Sequence, residues 1–255
     1  MKESRISPAI ITYHEVMPKS SYSYCVTTAA FKNHLRLLCD LQKMGRAWVH
    51  LTFDDGEQSQ YVAAFSLLAE RGLKATFFVT PGLVGSESRF LSWAQLRELQ
   101  SAGHSIQSHG WSHKFLPFCD ERELADELRG SKELLEDKLG RAVRGISAPG
   151  GRWDDRVVEA CARVGYRRLY VSEPWVSTEM CGVRVRGRFM VRRSTTAKQL
   201  QRVVLGEPCA LWLLRARSSF QKKLTSVIGE GIYHRLWCRF SGYDEFEKAR
   251  QKQYG

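Results

Sequence analysis

Four side chains in two short segments have the types and spacing to hold a metal ion and activate water. Asp54 and Asp55 are adjacent, and His109 and His113 lie four residues apart. Adjacent carboxylates repel each other unless a cation or a shared proton lies between them, and histidines four apart on a helical turn can share a metal. Each pair also has an ordinary explanation, an Asp-Gly turn or a chance spacing, so the prediction rests on their combination.

The chemistry that the four residues predict is hydrolysis. Asp55, His109 and His113 would give three protein ligands, and a fourth, open position is typical of a catalytic metal site. Asp54 would then be free to take a proton from the water that attacks a carbonyl.

Both segments follow predicted strands, at residues 49–53 and 104–108. Apolar runs predict further strands at residues 9–13, 75–79, 143–147 and 167–171, and helical spacing with capping signals predicts helices at 58–71, 92–99, 120–139, 154–163 and 195–204. This alternation indicates parallel strands joined by helices, so the fold class is α/β, and a barrel is favoured over an open sheet.

Three motifs, in order, resemble a known family. They are TFDDG at residues 52–56, HGWSH at 109–113 and SAPGG at 147–151. Over about residues 9–200 the chain resembles the polysaccharide deacetylases of the NodB-homology type, carbohydrate esterase family 4. The resemblance implies a distorted (β/α) barrel with its active site at the carboxyl ends of the strands.

The resemblance also implies a role for each matching residue. Asp54 resembles the catalytic base, and Asp55, His109 and His113 resemble the ligands of a divalent metal ion, zinc above all, with cobalt, nickel and manganese as alternatives. The wall of the substrate groove is implied to be formed by Pro149, Gly150, Gly151, Arg152 and Trp153.

Two departures from the family pattern concern catalysis. The arginine of the third motif, which orients the catalytic aspartate, is Ser147 here, and Arg152 or another basic residue of the same loop could replace it. The late L-x-H motif, whose histidine protonates the leaving amine, is not found in residues 210–215. His14, directly after the first predicted strand, is the candidate for this acid, and a buried histidine bonded to backbone is the alternative.

Length and pattern predict one catalytic domain, residues 1–205, and a basic amphipathic helical extension, residues 206–255. Trp212, Tyr233 and Trp237 alternate with basic residues in this extension. They could lie at a membrane interface or pack onto the barrel.

The formal net charge is +12, and residues 141–202 hold 14 Lys or Arg against 5 Asp or Glu. Arg184, Arg186 and Arg188 would share one face of an extended segment. Such a surface indicates an anionic partner or a solvated basic face. Nucleic acid is not expected, because no motif that reads it is found.

Cysteine usage and the chain start predict the compartment. Seven cysteines without a C-x-x-C pair favour free thiols, and the apolar run after the first eight residues is too short for a signal-peptide core. We therefore expect a cytoplasmic protein, peripheral at the inner face of the membrane.

The function expected is removal of an N-acyl group, foremost N-acetyl, from an amino sugar of a polysaccharide precursor or a lipid-linked or phosphorylated saccharide, in cell-envelope polysaccharide biosynthesis. The alternative is a catalytically silent NodB-like module that binds carbohydrate or membrane. Asp54 argues against this alternative, because a pure binder does not need the base.

Overall fold

The computed structural model describes residues 9–19 and 23–228, and the following elements belong to that part of the chain. The strands are β1 Ala9–Tyr13, β2 Glu15–Met17, β3 Cys25–Thr27, β4 Val49–Phe53, β5 Ala75–Val79, β6 Ser105–Ser108, β7 Gly145–Ser147, β8 Arg168–Val171, β9 Ser177–Met180, β10 Val183–Gly187 and β11 Phe189–Met190. The helices are α1 Thr28–Lys43, α2 Ser66–Ala69, α3 Trp93–Ser101, α4 Glu121–Leu139, α5 Asp155–Val164, α6 Ala197–Val204 and α7 Pro208–Ile228.

Nine of these strands form one curled sheet in the order β11-β1-β4-β5-β6-β7-β8-β10-β9. All neighbours are parallel except β9, which runs antiparallel to β10. Strands β2 and β3 form a separate parallel pair. The α/β class and the distorted barrel expected from the sequence are confirmed, and the nine-stranded sheet closes only part of the barrel.

Alternation along the strands separates two faces of the sheet. Ile11, Leu51 and Phe77 belong to the large core cluster, which also includes apolar side chains of the helices. The residues one position away face the inside of the curl, where Phe78 and Tyr170 pack in a separate small cluster. Because successive side chains of a strand point to opposite faces, one face of the sheet can pack in the core while the other lines the inside of the curl.

Helix boundaries follow the capping signals in the sequence. Ser92 and Asp120 each accept a hydrogen bond at the start of α3 and α4 and form capping boxes with Gln95 and Glu123. Gly140 ends α4 in the left-handed conformation, with φ of 62°. Helix α1 and strands β2, β3, β9 and β11 were not among the predicted elements.

In the predicted helix at residues 58–71, the helical spacing of Val62, Phe65 and Ala69 predicts that these three residues share the buried face, and the structure buries a different face. A π-helical stretch, Gln60–Phe65, precedes α2 and shifts the helical phase. Val62 is therefore 68% exposed, whereas Gln60 and Ala64 are buried. The buried face predicted from the helical spacing of apolar residues is therefore wrong.

The C-terminal region is helical as far as it is described. Helix α6 ends at Val204 and α7 begins at Pro208, on either side of the predicted interruption. Trp212 is 66% exposed. Tyr233 and Trp237 lie outside the described residues, and the domain boundary at residue 205 stays a prediction.

Two further observations concern the described helices and cysteines. Among the described residues, no helix combines the length and the apolar character needed to span a bilayer. No disulfide joins any two of the six cysteines within residues 9–19 and 23–228.

Candidate active site

The candidate site lies at the carboxyl ends of the parallel strands, where each contributing residue follows or ends a strand. Asp54 and Asp55 follow β4, and Asp55 has a φ of 74°, in the left-handed region. Gly56 continues this turn with a φ of 76°. A non-glycine residue in this region stores strain, which active sites commonly do. The sharp turn brings two adjacent carboxylates to the same rim.

Asp55, His109 and His113 converge on one point. The Nε2 atoms of His109 and His113 lie 3.2 and 3.3 Å from Oδ1 of Asp55, and one ligand atom from each residue falls within 4.8 Å of the others. All three residues are buried. The three predicted ligands are therefore close enough for one small cation to draw them together.

The hydrogen bonds around the triad fit a cation. Nδ1 of His109 lies 2.8 Å from the carbonyl oxygen of Ser147, and because a carbonyl only accepts, Nδ1 must carry the proton. In the neutral ring the Nε2 lone pair then faces Asp55, whose Oδ1 has no hydrogen-bond partner among the described residues. Two electron-rich atoms facing each other in a buried site indicate a cation between them.

Burial and the two imidazoles act in opposite directions on Asp55. Burial raises the pKa of the Asp55 carboxyl, but protonated His109 and His113 rings, which donate to it, bring the pKa well below its ordinary value. A cation bound between these groups would favour the carboxylate in the same direction. The carboxylate is therefore ionised and ready to act as a ligand.

His109 and His113 do not lie on a helical turn, which corrects the reason given for their spacing. Residues 109–113 form an irregular loop, in which Gly110 and His113 have φ of 79° and 66°. A side chain at Gly110 would meet Oε2 of Glu127 at 3.0 Å. The buckled loop turns both imidazoles to the same side.

Buried Glu127 of α4 holds this loop in place. Its Oε2 accepts hydrogen bonds from the backbone N–H groups of Trp111 and Ser112, at 2.8 and 3.0 Å, and its other oxygen accepts from the Ser112 hydroxyl. Glu127 was not among the residues predicted to form the site. Nothing in the local pattern distinguishes it from the other acidic residues of α4.

Asp54 forms a buried bidentate ion pair with Arg188. Nη1 and Nη2 of Arg188 each donate to one oxygen of Asp54 at 2.7 Å. The Ser147 hydroxyl donates to Asp54 at 3.1 Å and accepts from Arg188 at 2.7 Å. Arg188 is 1% exposed. These contacts fix both oxygens of the expected base.

Arg188 therefore orients Asp54, and the expectation that Arg152 or a neighbour in its loop would do so is wrong. Arg188 follows β10, so the role passes from the third-motif loop to a different strand end. Burial raises the pKa of Asp54, and the Arg188 guanidinium outweighs this and lowers it below its ordinary value. The Arg-x-Arg-x-Arg alternation in the sequence was the signal that could have found it.

Arg152 stacks on aromatic rings at the edge of the site. Its guanidinium lies 4.8 Å from the ring centre of Phe115 and 5.3 Å from that of Phe118. The turn Pro149–Gly151 precedes it, and a side chain at Gly150 would approach the Phe115 ring to 2.6 Å. Close approach between this turn and Phe115 explains the glycine.

Two of the remaining predicted groove residues have different surroundings. Pro149 is buried next to Gly110, and Trp153 packs its partly buried ring against the core. The turn thus borders the site, and its role in binding substrate stays a prediction.

His14 follows β1 and faces the candidate metal site. Its charge interacts with those of Asp55, Asp54 and His109, and burial, the largest influence, lowers its pKa. Its Nδ1 is buried without a hydrogen-bond partner among the described residues, and its ring lies 5.1 Å from that of Tyr24. Its Nδ1 is thus not bonded to backbone among the described residues, and the choice between an acid and a buried core histidine stays a prediction.

Comparison with known proteins identifies the family. Residues 42–169 match the polysaccharide deacetylase family. The chain belongs to that family. Among curated members, the putative polysaccharide deacetylase YxkH of Bacillus subtilis is 27% identical over 191 residues, covering 68% of this chain and 67% of YxkH. A chitooligosaccharide deacetylase of Sinorhizobium fredii is 28% identical over 130 residues, covering 50% of this chain and 58% of that protein.

Solved structures of the family share the fold. The Streptococcus pyogenes deacetylase PplD, in complex with acetate, superposes with a TM-score of 0.67 at 22% identity, covering 78% of this chain and 98% of that one. IcaB from Ammonifex degensii gives a TM-score of 0.64 at 23% identity, covering 80% and 96%. The polysaccharide deacetylase fold thus extends over most of the described chain.

Proposed function

We propose that the chain is a metal-dependent hydrolase that removes an N-acyl group, foremost N-acetyl, from an amino sugar. The observation that carries the proposal is the pairing of two adjacent carboxylates with different partners. Asp55 faces two imidazoles, and Asp54 is held by a guanidinium. One carboxylate is thereby assigned to metal binding and the other to proton transfer.

Asp55, His109 and His113 would hold a divalent ion, zinc foremost, with cobalt, nickel and manganese as alternatives. When bound, this ion would polarise the amide carbonyl and lower the pKa of water. Asp54 accepts the proton that the attacking water loses, and Arg188 keeps both of its oxygens in fixed positions for that transfer.

Cleavage of the amide also needs a proton on the departing nitrogen, because an amine anion is a very poor leaving group. We assign this role to His14, which follows β1 and whose charge interacts with those of Asp54 and Asp55. Because burial lowers its pKa, His14 would donate only from the fraction of molecules in which its ring is protonated. Asp54 offers a second route, since it can return the proton taken from water. Its low pKa would make the protonated form a ready donor.

We propose a saccharide at the stage of a polysaccharide precursor, either lipid-linked or phosphorylated, as the substrate in cell-envelope polysaccharide biosynthesis. Arg152 and Phe115 offer a stacked cationic and aromatic surface beside the site. Curated relatives carry the names chitooligosaccharide and chitin deacetylase, which supports an N-acetylated amino sugar. A cytoplasmic location at the inner face of the membrane is part of this proposal.

Metal analysis of the purified protein, combined with acetate release from N-acetylated oligosaccharides and lipid-linked sugars, tests the function. We expect about one equivalent of metal in the wild type, lost in His113→Ala. Asp54→Asn should keep the metal and lose turnover by about 10²- to 10⁴-fold. The matched control is Asp126→Asn, an exposed carboxyl on α4. Wild-type acetate release by Asp54→Asn would refute the assigned base.

The silent-module alternative gives a different result in the same assay. A catalytically silent protein would contain metal and bind saccharide or vesicles, but it would release no acetate from any substrate tested. Asp54 and Arg188 weigh against it, because a buried ion pair at the rim of the site has no evident use in a binder.

We also propose that the C-terminal extension contacts a membrane surface. Trp212 and Leu213 of α7 are 66% and 56% exposed, and Arg215 lies on the same helix. Exposed aromatic and basic side chains suit the interface of an anionic bilayer. Sedimentation with vesicles of phosphatidylcholine and phosphatidylglycerol tests this: equal binding after removal of residues 206–255 would refute it.

A further inference from the structure

A second pocket opens at the opposite end of the curled sheet from the metal ligands. It has a volume of about 400 Å³, within the range of small-molecule sites. Most of its walls come from the amino-terminal halves of the parallel strands. The polar side chains that line it include His50, Thr76, Gln107, Arg168, Arg184 and Arg186.

A buried layer separates this pocket from the candidate active site. Ile10, Phe78 and Tyr170 pack together inside the curl, with the rings of Phe78 and Tyr170 4.9 Å apart. The guanidinium of Arg188, which binds Asp54, lies 5.2 Å from the Phe78 ring. A ligand in the pocket therefore does not reach the reacting groups.

Three arginines converge on the pocket through the strand register. Arg184 is the register partner of Arg168, and Arg186 is the partner of Tyr170. Because paired residues on neighbouring strands point to the same face, all three arginines share the inner face of the sheet. Among the described residues that line the pocket there is no carboxylate, but Arg184 forms an exposed ion pair with Glu179 of β9 at 3.8 Å. The positive charge of the pocket therefore comes mainly from Arg168 and Arg186.

The positive charge acts on a neighbouring histidine. His50 donates to or accepts from the Thr76 hydroxyl at 2.9 Å, on the same inner face. Burial lowers the pKa of His50 to about 4, and the charges of Arg188, Arg168 and Arg186 contribute to the shift. The pocket thus concentrates positive charge beside the partly buried imidazole of His50.

The polar groups available in the pocket suit an oxyanion. Oε1 of Gln107 already accepts from the backbone N–H groups of Arg144 and Gly145, at 3.0 and 2.7 Å, so its acceptor oxygen is occupied. Guanidinium groups present parallel N–H donors that match two oxygens of a phosphate. A merely solvated basic face would not require a concave site in which three arginines meet.

We propose that this pocket binds a phosphate group, carried by a small soluble molecule or by a lipid headgroup. This site is distinct from that of the proposed hydrolysis, and its occupation does not depend on a metal. Arg168 and Arg186 provide the guanidinium groups, and the volume leaves room for more than a phosphate alone.

Titration calorimetry of the full-length protein with inorganic pyrophosphate tests the proposal for the soluble source. We expect saturable binding, and an affinity at least about tenfold lower in the double variant Arg168→Gln/Arg186→Gln, because each substitution removes one charge-assisted hydrogen-bonding contact to the phosphate. The control, Arg97→Gln/Arg129→Gln, removes the same charge from exposed positions on α3 and α4. If pyrophosphate bound instead to a metal ion at Asp55, the two double variants would bind it with equal affinity.

Flotation with phosphatidylcholine vesicles, with and without phosphatidic acid, tests the lipid source with the same proteins. A selective loss of vesicle binding in Arg168→Gln/Arg186→Gln assigns the phosphate to a headgroup, and a selective loss of pyrophosphate binding alone assigns it to a soluble molecule. Melting temperatures establish that each variant is folded. The milder double variant Arg168→Lys/Arg186→Lys keeps the positive charge but lacks the paired N–H donors of a guanidinium. Equal binding by the two glutamine double variants to both probes overturns the proposal.

Discussion

The Asp54–Arg188 pair permits a test that does not require knowing the substrate. Both residues are buried, and two hydrogen bonds of 2.7 Å join them. Replacing Arg188 with Gln leaves a carboxylate buried without its counter-ion, which typically costs about 3–5 kcal/mol of folding free energy. In the Asp54→Asn background there is no charge to strand, so the same replacement should cost less.

A double-mutant cycle measures this difference. We expect Arg188→Gln to destabilise the Asp54→Asn protein by about 2 kcal/mol less than it destabilises the wild type, read from urea unfolding with equal m-values. The control is Arg163→Gln, whose guanidinium lies 3.6 Å from Glu121 on the surface. Such an exposed pair contributes about 0–1 kcal/mol.

Activity gives a second reading of the same pair. Arg188→Lys keeps the charge but loses the two-pronged contact, and kcat should fall by about ten- to a hundredfold through misplacement of Asp54. Loss of the Arg188 guanidinium should raise the pKa of Asp54, so the acidic limb of the pH–rate profile should move to higher pH. Additive stability effects within about 0.5 kcal/mol, together with an unshifted pH profile, would refute the orienting role.

Three further changes test other parts of the structure. His14→Ala should lower turnover by about 10²- to 10⁴-fold with unchanged metal content; unchanged turnover would leave Asp54 to return the proton. Glu127→Gln should lower stability by about 1–3 kcal/mol and weaken metal binding by about ten- to a hundredfold, measured by unfolding and by competition with a chelator, since the amide offers one acceptor oxygen where Glu127 uses two; wild-type affinity would contradict this. His50, with a pKa of about 4 in the folded protein, binds its proton in the unfolded chain below about pH 6.5, so stability should fall as pH drops from 6.5 to 4. Melting temperatures should show a smaller fall in His50→Gln, and an equal fall would count against the buried, neutral ring.

Local sequence determined the elements and the order of the motifs. Apolar runs ended by polar residues located β1, β4 and β5, and the capping boxes at Ser92 and Asp120 located the starts of α3 and α4. These features depend on a few neighbouring residues, so they can be read without the fold. The same holds for Asp55, His109 and His113, because strand ends meet at one edge of a parallel sheet.

Only the tertiary structure decided which arginine meets Asp54. Arg152 stands closer in sequence to the third motif, but its guanidinium stacks on Phe115 instead. Arg188 reaches Asp54 because the curl of the sheet brings the end of β10 across from β4, strands that are not neighbours in the sheet. Contacts across the inside of a curled sheet depend on how far it closes, which local propensity does not encode.

The phase of the segment before α2 and the shape of the histidine loop also depended on the whole fold. Val62 matched a helical pattern and is exposed, because the π-helical stretch changes which side faces the core. Glu127 lies 15 residues beyond Ser112 and becomes its acceptor only when α4 packs beside the loop. Sequence spacing determined which residue types could form the site, and packing between distant elements decided their partners, because ion pairs and buried hydrogen bonds are made in space across long stretches of chain.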